Sequence, residues 1–301
     1  MNGMTEIVPC TVLAHAKVNL FLAVGARRPD GFHDVVTVLQ AVELADEVEV
    51  RPAGEGTTLE RDVDLGIPAS EDLAYRAAEA WRTATGYEGG IRVTVRKRIP
   101  AGGGLGGGSS DAAAVLWALS GRTSADEPLE SGLLELAVGL GADVPFFLGP
   151  GTRVMTGRGD RPGETVPTPR LHLALVNPGV PVPTGAAYAQ FDRALMPPPP
   201  PPDALLGALS EGVARGIAVR LYNNMTQASC ALVPEIRGAL RFLEDSAGVY
   251  GAAMAGSGST VFGIYDTATR ARDAATAARE RGWWACETGT SPAGIETPAL
   301  D

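Results

Sequence analysis

Residues 100–111 read P-A-G-G-G-L-G-G-G-S-S-D and place six glycines among the seven residues 102–108. The tract follows a short β-branched strand predicted at 91–95, and an alanine-rich helix is predicted from Ser109 to about residue 119. Backbone amides without side chains can turn inward around an anion, and the helix N-terminus adds about half a positive charge. The tract therefore predicts a phosphate-binding loop, with a flexible surface loop as the alternative.

Two known glycine-rich templates describe the tract poorly. A Walker A loop has a lysine and a hydroxyl directly after its last glycine, whereas glycine and serine follow Gly107. The G-x-G-x-x-G pattern is met by Gly102, Gly104 and Gly107, but residues 97–101 intervene where a dinucleotide site has a tight turn off the strand. A nucleoside triphosphate is therefore favoured over a dinucleotide. The two serines behind the tract could cap the helix or bind the metal ion that accompanies the phosphates.

Composition narrows the class of protein. The chain has 301 residues, is 45% hydrophobic and carries a net charge of −10, which predicts a globular protein of one or two domains. The acidic balance argues against a broad basic surface for nucleic acid or membranes, and no apolar run reaches membrane-spanning length. Three separated cysteines and three histidines predict neither a disulfide framework nor a zinc site. We expect a cytoplasmic protein, a monomer or a weak homodimer, with no nucleic-acid or membrane partner.

The basic residues are unevenly divided. Among 25 of them, lysine occurs only at Lys17 and Lys97, and all the others are arginine. Where arginine is the default cation, a retained lysine indicates a need for a compact, flexible point charge. Both lysines are therefore candidate site residues.

Residues 12–24 alternate as a strand would, with His15, Lys17 and Asn19 on the polar face. The six prolines at 197–202 predict a stiff, extended surface segment. Other strands are predicted at 35–42, 47–51, 146–148, 152–156, 171–176, 249–254 and 260–265, and other helices at 71–85, 129–140, 204–215, 225–246 and 267–281. The pattern predicts an α+β protein in two halves, 1–167 and 168–301, without a solenoid repeat.

Residues 100–111 resemble the phosphate-binding motif of the GHMP kinase superfamily, named for galactokinase, homoserine, mevalonate and phosphomevalonate kinases. Residues 255–259, A-G-S-G-S, resemble the third glycine motif of that superfamily. Three further stretches, A-K-V-N-L at 16–20, R-P-D-G-F-H at 28–33 and L-G-A-D-V-P-F at 140–146, resemble the branch that acts on a cytidyl-methylerythritol. The likeness runs in the expected order from about residue 11 to 265.

The resemblance implies a two-domain GHMP kinase fold, with an N-terminal ATP-binding domain at 1–167 and a C-terminal α/β-sandwich domain at 168–301. It implies ATP-dependent phosphorylation of the 2-hydroxyl of 4-diphosphocytidyl-2-C-methyl-D-erythritol, in the non-mevalonate route to isoprenoid precursors. ATP and Mg²⁺ are the implied cofactors.

Asp143 is the first candidate for the chemistry. It is the only charged residue between Gly139 and Arg153, and a carboxylate among apolar residues is costly unless a cation or hydrogen bonds meet it. The resemblance implies that Asp143 is the catalytic base, that Lys17 holds it ionised and aligns the reacting groups, and that Asn19 binds the methylerythritol end. The alternatives are a turn-capping Asp143 and a solvent-facing strand lysine.

The resemblance also implies the two binding pockets. Phe32 and Tyr188 would sandwich the cytosine ring, His33 would read its edge through its backbone or ring, and Thr184 would lie beside the pocket; Tyr188 could instead be helix core. The implied ATP contacts are Lys97, Pro100, Ala101, Gly102, Gly103, Gly104, Leu105, Gly106, Gly107, Gly108, Ser109 and Ser110.

Two positions at the nucleotide end stay open. Asp72-Leu73 stands where the family usually has Asn-Leu in the adenine pocket, so Asp72 is not assigned as a contact. No acidic residue is marked as a metal ligand, and Ser110 is the only candidate we name. Lys97 could also be a strand-end cation without a role.

Competing functions are a homoserine-type or mevalonate-type kinase of the same superfamily, a catalytically silent nucleotide-binding sensor and, more distantly, a dinucleotide-binding dehydrogenase. The turn at 31–33 and the pair of Lys17 and Asp143 argue against the first two, and the presence of both residues of that pair argues against the sensor. Fold alone does not separate them, because function depends on the site.

Overall fold

The computed structural model describes residues 7–127, 130–194 and 197–298. The strands are β1 (Cys10–Arg27), β2 (His33–Ala53), β3 (Thr57–Arg61), β4 (Gly90–Arg96), β5 (Thr152–Thr156), β6 (Arg161–Thr165), β7 (His172–Asn177), β8 (Tyr222–Asn223), β9 (Val249–Met254), β10 (Val261–Tyr265), β11 (Trp284–Gly289) and β12 (Ile295–Glu296). The helices are α1 (Leu73–Thr85), α2 (Gly107–Ser120), α3 (Ser131–Leu140), α4 (Val144–Phe147), α5 (Thr184–Phe191), α6 (Asp203–Glu211), α7 (Ala214–Ala218), α8 (Thr226–Leu232), α9 (Glu235–Glu244) and α10 (Ala268–Glu280).

Two sheets organise the chain. The first has the order β12-β1-β2-β4-β3, with β5 and β6 extending from β2 and with β8 parallel to β1. The second is antiparallel and has the order β11-β7-β10-β9. Helices α1 and α2 pack against the first sheet through small and aromatic side chains, and α9 and α10 cover the second. The predicted α+β class is confirmed.

The strand β1 is buried along both faces. Its polar residues His15, Lys17 and Asn19 are only 3 to 4% exposed, so the polar face does not meet solvent. It lies under the glycine tract instead, where the backbone amide of Lys17 donates to the carbonyl of Leu105 at 2.9 Å. The solvent-facing alternative for Lys17 is therefore wrong.

One long strand replaces two predicted ones. The segments 35–42 and 47–51 both belong to β2, and the gap between them is a bulge where His15 pairs with Ala45 and Ala16 pairs with Val42. A bulge adds residues to one strand without ending it, so the break in the pattern marks a bend rather than a turn.

Residues 146–148, predicted as a strand, lie at the end of α4 and just beyond it. Pro145 occupies the first turn of this short helix, where its missing amide is not needed, and Phe146 and Phe147 are buried in the core. Short apolar runs do not distinguish strand from helix by periodicity, which explains the error.

The helix behind the glycine tract begins earlier than predicted. Gly107 is its first residue, and Gly106, in the left-handed conformation with φ of 74°, precedes it as N-cap. The serines at 109 and 110 therefore lie inside the first turn and do not cap the helix.

Two predicted helices are each divided in the structure. The segment 225–246 forms α8 and α9, because Pro234 cannot continue a helix and begins the second one. The segment 204–215 forms α6 and α7, which separate at Gly212 with φ of 69°. The prediction at 129–140 corresponds to α3, and residue 129 lies outside the described ranges.

The second half of the chain also contributes to the first sheet. The second sheet starts at β7, but β8 and β12 both pair with β1. The division at 167/168 stays a prediction. Residues 197–201 form neither helix nor strand, and across the described ranges no helix has the length and apolarity needed to cross a membrane.

Candidate active site

Two neighbouring cavities define the candidate site. The phosphate cavity, of about 560 Å³, runs along the glycine tract and contains Lys17 and Asp143. The aromatic cavity, of about 820 Å³, contains Phe32 and His33. The residues that line both cavities are Val35, Ala142, Arg158, Thr184 and Tyr188. Two ligands could therefore meet at this shared wall.

The glycine tract forms one side of the phosphate cavity because a second loop packs closely against it. A Cβ at Gly104, where φ is +79°, would lie 2.3 Å from the carbonyl oxygen of Ala255. A Cβ at Gly106 would lie 2.9 Å from the ring of Phe147. The amide of Thr260 donates to the carbonyl of Gly103 at 3.1 Å and ties the two loops together. Glycine is thus required by close packing as well as by conformation.

The predicted ATP contacts from Pro100 to Ser109 all line the phosphate cavity. Ser110 does not: it is fully buried outside the lining, and its hydroxyl finds no hydrogen-bond partner within the described ranges. A direct contact of the Ser110 side chain with the nucleotide would therefore need a local rearrangement.

Lys17 is held in place by a polar chain that crosses β1 and β2. Its Nζ donates to Oδ1 of Asn19 at 2.9 Å, and the same oxygen accepts the amide of Gly256 at 2.7 Å. Nδ2 of Asn19 donates to the hydroxyl of Thr37 at 2.9 Å. The lysine is therefore oriented by groups from both loops and from the sheet.

Asp143 lies opposite this lysine, at the start of α4. Its Oδ2 is 3.6 Å from Nζ of Lys17, which makes an ion pair that is too long for a hydrogen bond. The Asp143 side chain is 34% exposed and makes no capping hydrogen bond to α4. The capping alternative is wrong, and the carboxylate remains accessible from the phosphate cavity.

Lys97, at the end of β4, has a different environment. Its Nζ donates to Oδ2 of Asp46 at 2.5 Å and to Oδ2 of Asp111 at 2.6 Å. Asp46 also accepts the amides of Arg98 and Ile99 at 2.5 and 2.8 Å. This cluster joins β2 to both ends of the glycine tract. The ammonium group of Lys97 is thus already paired with two carboxylates. Its predicted contact with adenosine stays a prediction.

Burial and charge act together on this cluster. Burial raises the pKa of Asp111 to about 8; Lys97 opposes that rise and Asp46 adds to it. Burial works against the charged form of Lys97, but the two carboxylates outweigh it and raise its pKa. Oδ1 of Asp111 is buried without a hydrogen-bond partner within the described ranges, as expected for a carboxyl that does not need to be solvated as an anion.

The aromatic cavity is built around His33. Its Nδ1 lies 2.9 Å from the carbonyl of Gly25, and its Nε2 lies 3.2 Å from Oδ1 of Asp192. Both ring nitrogens therefore face acceptors of the protein. The Tyr188 ring lies 5.1 Å from the imidazole. Phe32 is 51% exposed in its turn, which is unusual for phenylalanine and suits a stacking surface.

Helix α5 connects the two cavities. It carries Thr184 at its start, with the hydroxyl 3.3 Å from that of Ser257, and Tyr188 one turn later. Burial raises the pKa of the Tyr188 phenol, and the negative charge of Asp143 adds to the effect. Tyr188 is half-buried: its side chain packs against the hydrophobic cluster of the second sheet and also lines both cavities, so the helix-core alternative stays open.

Both carboxylate oxygens of Asp72 are used in contacts within the protein. Its Oδ1 accepts the amide of Ala74 and caps α1, and its Oδ2 pairs with Arg61 at 2.9 Å. Asp72 and Leu73 line the phosphate cavity together with Leu65 and Ile67, which form an apolar patch at that end. An adenine ring would meet mainly this apolar surface.

Sequence reasoning missed three residues that position the site. Arg158 belongs to both cavities, Asp46 anchors Lys97, and Nδ2 of Asn223 donates to the carbonyls of Met254 and Gly256 at 2.8 Å each. Arg158 leaves a signal, because it stands between two glycines, whereas Asp46 lies among Glu43, Glu47 and Glu49 and is not distinguished from them in the sequence. Asn223 leaves none that we recognise.

Comparison with known proteins assigns the family. Models of the GHMP kinases N terminal domain and of the GHMP kinases C terminal match residues 72–151 and 208–282. A 4-diphosphocytidyl-2-C-methyl-D-erythritol kinase of Pelotomaculum thermopropionicum is 42% identical, covering 88% of this chain and 92% of that protein. A crystal structure of a 4-(cytidine 5'-diphospho)-2C-methyl-D-erythritol kinase is 38% identical, with a TM-score of 0.76 over 93% of this chain and 99% of the other.

Homoserine kinase from Cytophaga hutchinsonii has a TM-score of 0.73 at 19% identity, covering 96% of this chain and 97% of that one, and so shares the fold alone. The relatives named 4-diphosphocytidyl-2-C-methyl-D-erythritol kinase, in contrast, are 38 to 42% identical over about nine tenths of this chain. The chain therefore belongs to the 4-diphosphocytidyl-2-C-methyl-D-erythritol kinase family of the GHMP kinases.

Proposed function

We propose that the chain transfers the γ-phosphoryl group of ATP to the 2-hydroxyl of 4-diphosphocytidyl-2-C-methyl-D-erythritol, giving the 2-phosphate and ADP in non-mevalonate isoprenoid precursor synthesis. The observation that carries the proposal is the position of the Lys17 and Asp143 pair. Both line the phosphate cavity, and Ala142, next to Asp143, lines the aromatic cavity as well. A phosphate donor in one cavity and an acceptor extending from the other would meet at this pair.

In the proposed reaction, the substrate 2-hydroxyl oxygen attacks the γ-phosphorus while the bond from that phosphorus to the bridging oxygen of ADP breaks. Asp143 accepts the hydroxyl proton through its accessible carboxylate. Lys17 offers its charge to the oxygens of the transferring group, because Asn19 already fixes its position. Phosphoryl transfer depends mainly on positioning and on charge stabilisation, which these residues and the loop amides supply.

Each end of the acceptor has its own recognition. Nδ2 of Asn19 donates one N–H to Thr37, and the second, which has no partner among the residues that the structure describes, would bind the methylerythritol end. Phe32 and Tyr188 stack on the cytosine, and the backbone of His33 reads its edge. Thr184 lies where the two ends join.

Mg²⁺ belongs to the proposal as part of the nucleotide complex. Within the described ranges no group of three or more His, Cys, Asp or Glu side chains could hold a metal ion. Mg²⁺ on nucleotide phosphates needs only one or two protein oxygens, and Asp143 and Ser109 offer them in the cavity lining. When bound, the ion neutralises charge on the β- and γ-phosphates.

The proposal extends to the organisation and location of the enzyme. We infer that residues 1–167 mainly bind ATP and that residues 168–301 complete the acceptor site through α5. We place the enzyme in the cytoplasm, where its three cysteines, all free in the structure, would stay reduced.

A substrate panel tests the proposal. The purified chain, with ATP and Mg²⁺, is offered 4-diphosphocytidyl-2-C-methyl-D-erythritol, homoserine and mevalonate, and ADP release and phosphorylated product are measured. We expect turnover of the cytidyl substrate alone. Transfer only to homoserine or mevalonate would refute the proposal, and nucleotide binding without any transfer would favour a sensor.

The variant Phe32→Ala tests the acceptor pocket. Loss of one stacking face should raise KM for the cytidyl substrate about tenfold or more, since stacking on an aromatic is worth about 1 to 3 kcal/mol per base. The KM for ATP serves as the internal control and should stay within about twofold. Equal changes in both constants would argue against the assignment of the aromatic cavity to cytidine.

A further inference from the structure

Arg158 occupies a position that the proposed reaction has not used. It lies in the turn of residues 157–160 between β5 and β6, and it lines both the phosphate cavity and the aromatic cavity. Within the described ranges, the other cations of the phosphate cavity are Lys17 and Lys97, and the other cation of the aromatic cavity is Arg27. Of these four cations, only Arg158 belongs to both linings.

The turn holds this arginine firmly. Its backbone amide, Nε and Nη2 each lie 3.0 Å from a carboxylate oxygen of Asp160. Asp160 is largely buried; that burial opposes ionisation, but the hydrogen bonds from Arg158 lower its pKa. The amide of Val35 donates to the carbonyl of Gly157 at 2.7 Å and attaches the turn to β2 beside the aromatic cavity. The guanidinium is therefore preorganised.

One edge of the Arg158 guanidinium remains available. Nε and Nη2 face Asp160, whereas Nη1 makes no hydrogen bond to the residues that the structure describes. The guanidinium carbon lies 4.9 Å from the centre of the Phe32 ring, and the side chain is 37% exposed. An arginine fork can hold a carboxylate on one edge and a phosphate on another.

The neighbouring cations are less available for a ligand between the cavities. Lys97 is enclosed by two carboxylates, and Lys17 is directed towards Asp143 and Asn19. Arg27 is 63% exposed at the outer rim, where its Nε donates to the carbonyl of Gly31. A phosphate group that crosses the shared wall would thus meet Arg158 first.

We propose that Arg158 binds the diphosphate of the acceptor through Nη1 and thereby makes the enzyme selective for a nucleoside diphosphate derivative over a nucleoside or a monophosphate. The inference rests on the proposed function, in which cytosine occupies one cavity and the reacting hydroxyl the other. The diphosphate that joins these two ends must then cross the wall that contains Arg158. Arg158 is a specificity-determining residue on this account, and the ring of Phe32 packs against its guanidinium group.

Calorimetric titration with cytidine, CMP and CDP, with ADP present at saturation to fill the glycine loop, tests the proposal. For the wild-type chain we expect affinity to rise from cytidine to CDP. In Arg158→Gln, which keeps a planar polar group near Phe32, we expect the ratio of CDP to cytidine affinity to fall about tenfold, as for loss of a charged hydrogen bond. Cytidine affinity itself should stay within about twofold.

Two further variants complete the experiment. Arg161→Gln, at an exposed arginine that lines neither cavity, is the matched control and should leave the ratio unchanged. Arg158→Lys keeps the charge but not the fork, and an intermediate fall in the ratio, of about threefold, is expected. If Arg158→Gln unfolds, as judged by its melting temperature, Arg158→Lys carries the test.

A ratio of CDP to cytidine affinity that is unchanged in Arg158→Gln would overturn the proposal. If both affinities fall equally, the ratio is also unchanged, and Arg158 then only supports the stacking surface. Failure of the proposed function is seen separately, as absence of turnover of 4-diphosphocytidyl-2-C-methyl-D-erythritol by the wild-type chain. A chain without that turnover whose CDP preference still depends on Arg158 would retain this inference and lose the other.

Discussion

Lys17 and Lys97 are the two lysines of the chain, and their side chains are only 4% and 7% exposed, yet their surroundings differ in one decisive respect. Lys17 has a single carboxylate at 3.6 Å, and that carboxylate is 34% exposed. Lys97 has two at 2.5 and 2.6 Å, both nearly inaccessible. A lysine with an incomplete ion pair can still act on an incoming phosphate, whereas one that is fully paired fastens the elements around it. The number and distance of the carboxylates, rather than burial, separate the two roles.

The largest expected effect is on turnover and concerns the pair of Lys17 and Asp143. Asp143→Asn and Lys17→Ala should each lower kcat by about 10³-fold or more, because a general base and a charge on the transferring group are both removed. ATP affinity, measured by equilibrium titration, should change by only a few-fold. Asp126→Asn, at an exposed loop aspartate, is the matched control and should keep normal turnover. Normal turnover in the Asp143/Lys17 double variant would refute the catalytic role assigned to this pair.

The cluster of Lys97, Asp46 and Asp111 should matter most for stability. Lys97→Met leaves Asp46 and Asp111 buried without their shared cation, and we expect the free energy of unfolding to fall by about 3 kcal/mol. Adding Asp111→Asn should change that loss little, because the raised pKa of Asp111 already favours its neutral form and the uncompensated charge is that of Asp46. Lys17→Met should cost about 1 kcal/mol, since Asp143 can be solvated. Urea denaturation measures all three, and equal losses for the two lysines would contradict the comparison.

Replacement of each lysine by arginine should separate the two roles further. Lys17→Arg should lower kcat nearly as much as Lys17→Ala, because the planar guanidinium does not fit between Asn19, Asp143 and Gly256, where a Cβ on Gly256 would already lie 3.2 Å from Nζ. Lys97→Arg should reduce turnover only a few-fold, since the charge that balances Asp46 and Asp111 is kept. Steady-state kinetics of both variants decide the matter. A greater loss at Lys97 than at Lys17 would reverse the assignment of roles.

The last expected effect is a dependence of stability on pH. The pKa of Asp111 rises from its ordinary 3.8 to about 8 in the fold, so the folded chain binds more protons than the unfolded chain between these values. The free energy of unfolding should therefore fall as pH rises through this window, and this contribution should be lost above pH 8. Asp111→Asn should lack this part of the slope. Identical slopes for the two chains from pH 5 to 8.5 would mean that Asp111 is ionised throughout.

Local chemistry made much of the site predictable. The glycine tract at 102–108 predicts a phosphate-binding loop from its composition and its place before a helix, and Phe32 in a turn is an exposed aromatic that suggests a ligand. Asp143 is conspicuous because nothing else around it is charged. These residues reveal themselves through their immediate neighbours in the chain.

Long-range contacts were not predictable in the same way. Asp46 and Lys97 are 51 residues apart, and nothing local indicates that their side chains meet. The apolar segment at 146–148 could be read as strand or helix, and packing of both phenylalanines into the core decided for helix. Strand pairing across the chain, as between β1 and β12, depends on the whole fold and leaves no mark on either segment.

The pairing of β12 with β1 limits how this enzyme could be divided. Ile295 and Glu296 lie beside Ala14 and Leu13, and Glu296 reaches His15 at 3.3 Å, only two residues before the lysine of the reaction. A gene fragment cut at any point between β7 and β12 would encode a first sheet with one strand edge bare, which favours association with other chains. Splitting the enzyme into two co-expressed halves, as for a complementation reporter, would therefore need the last strand to be supplied with the first half.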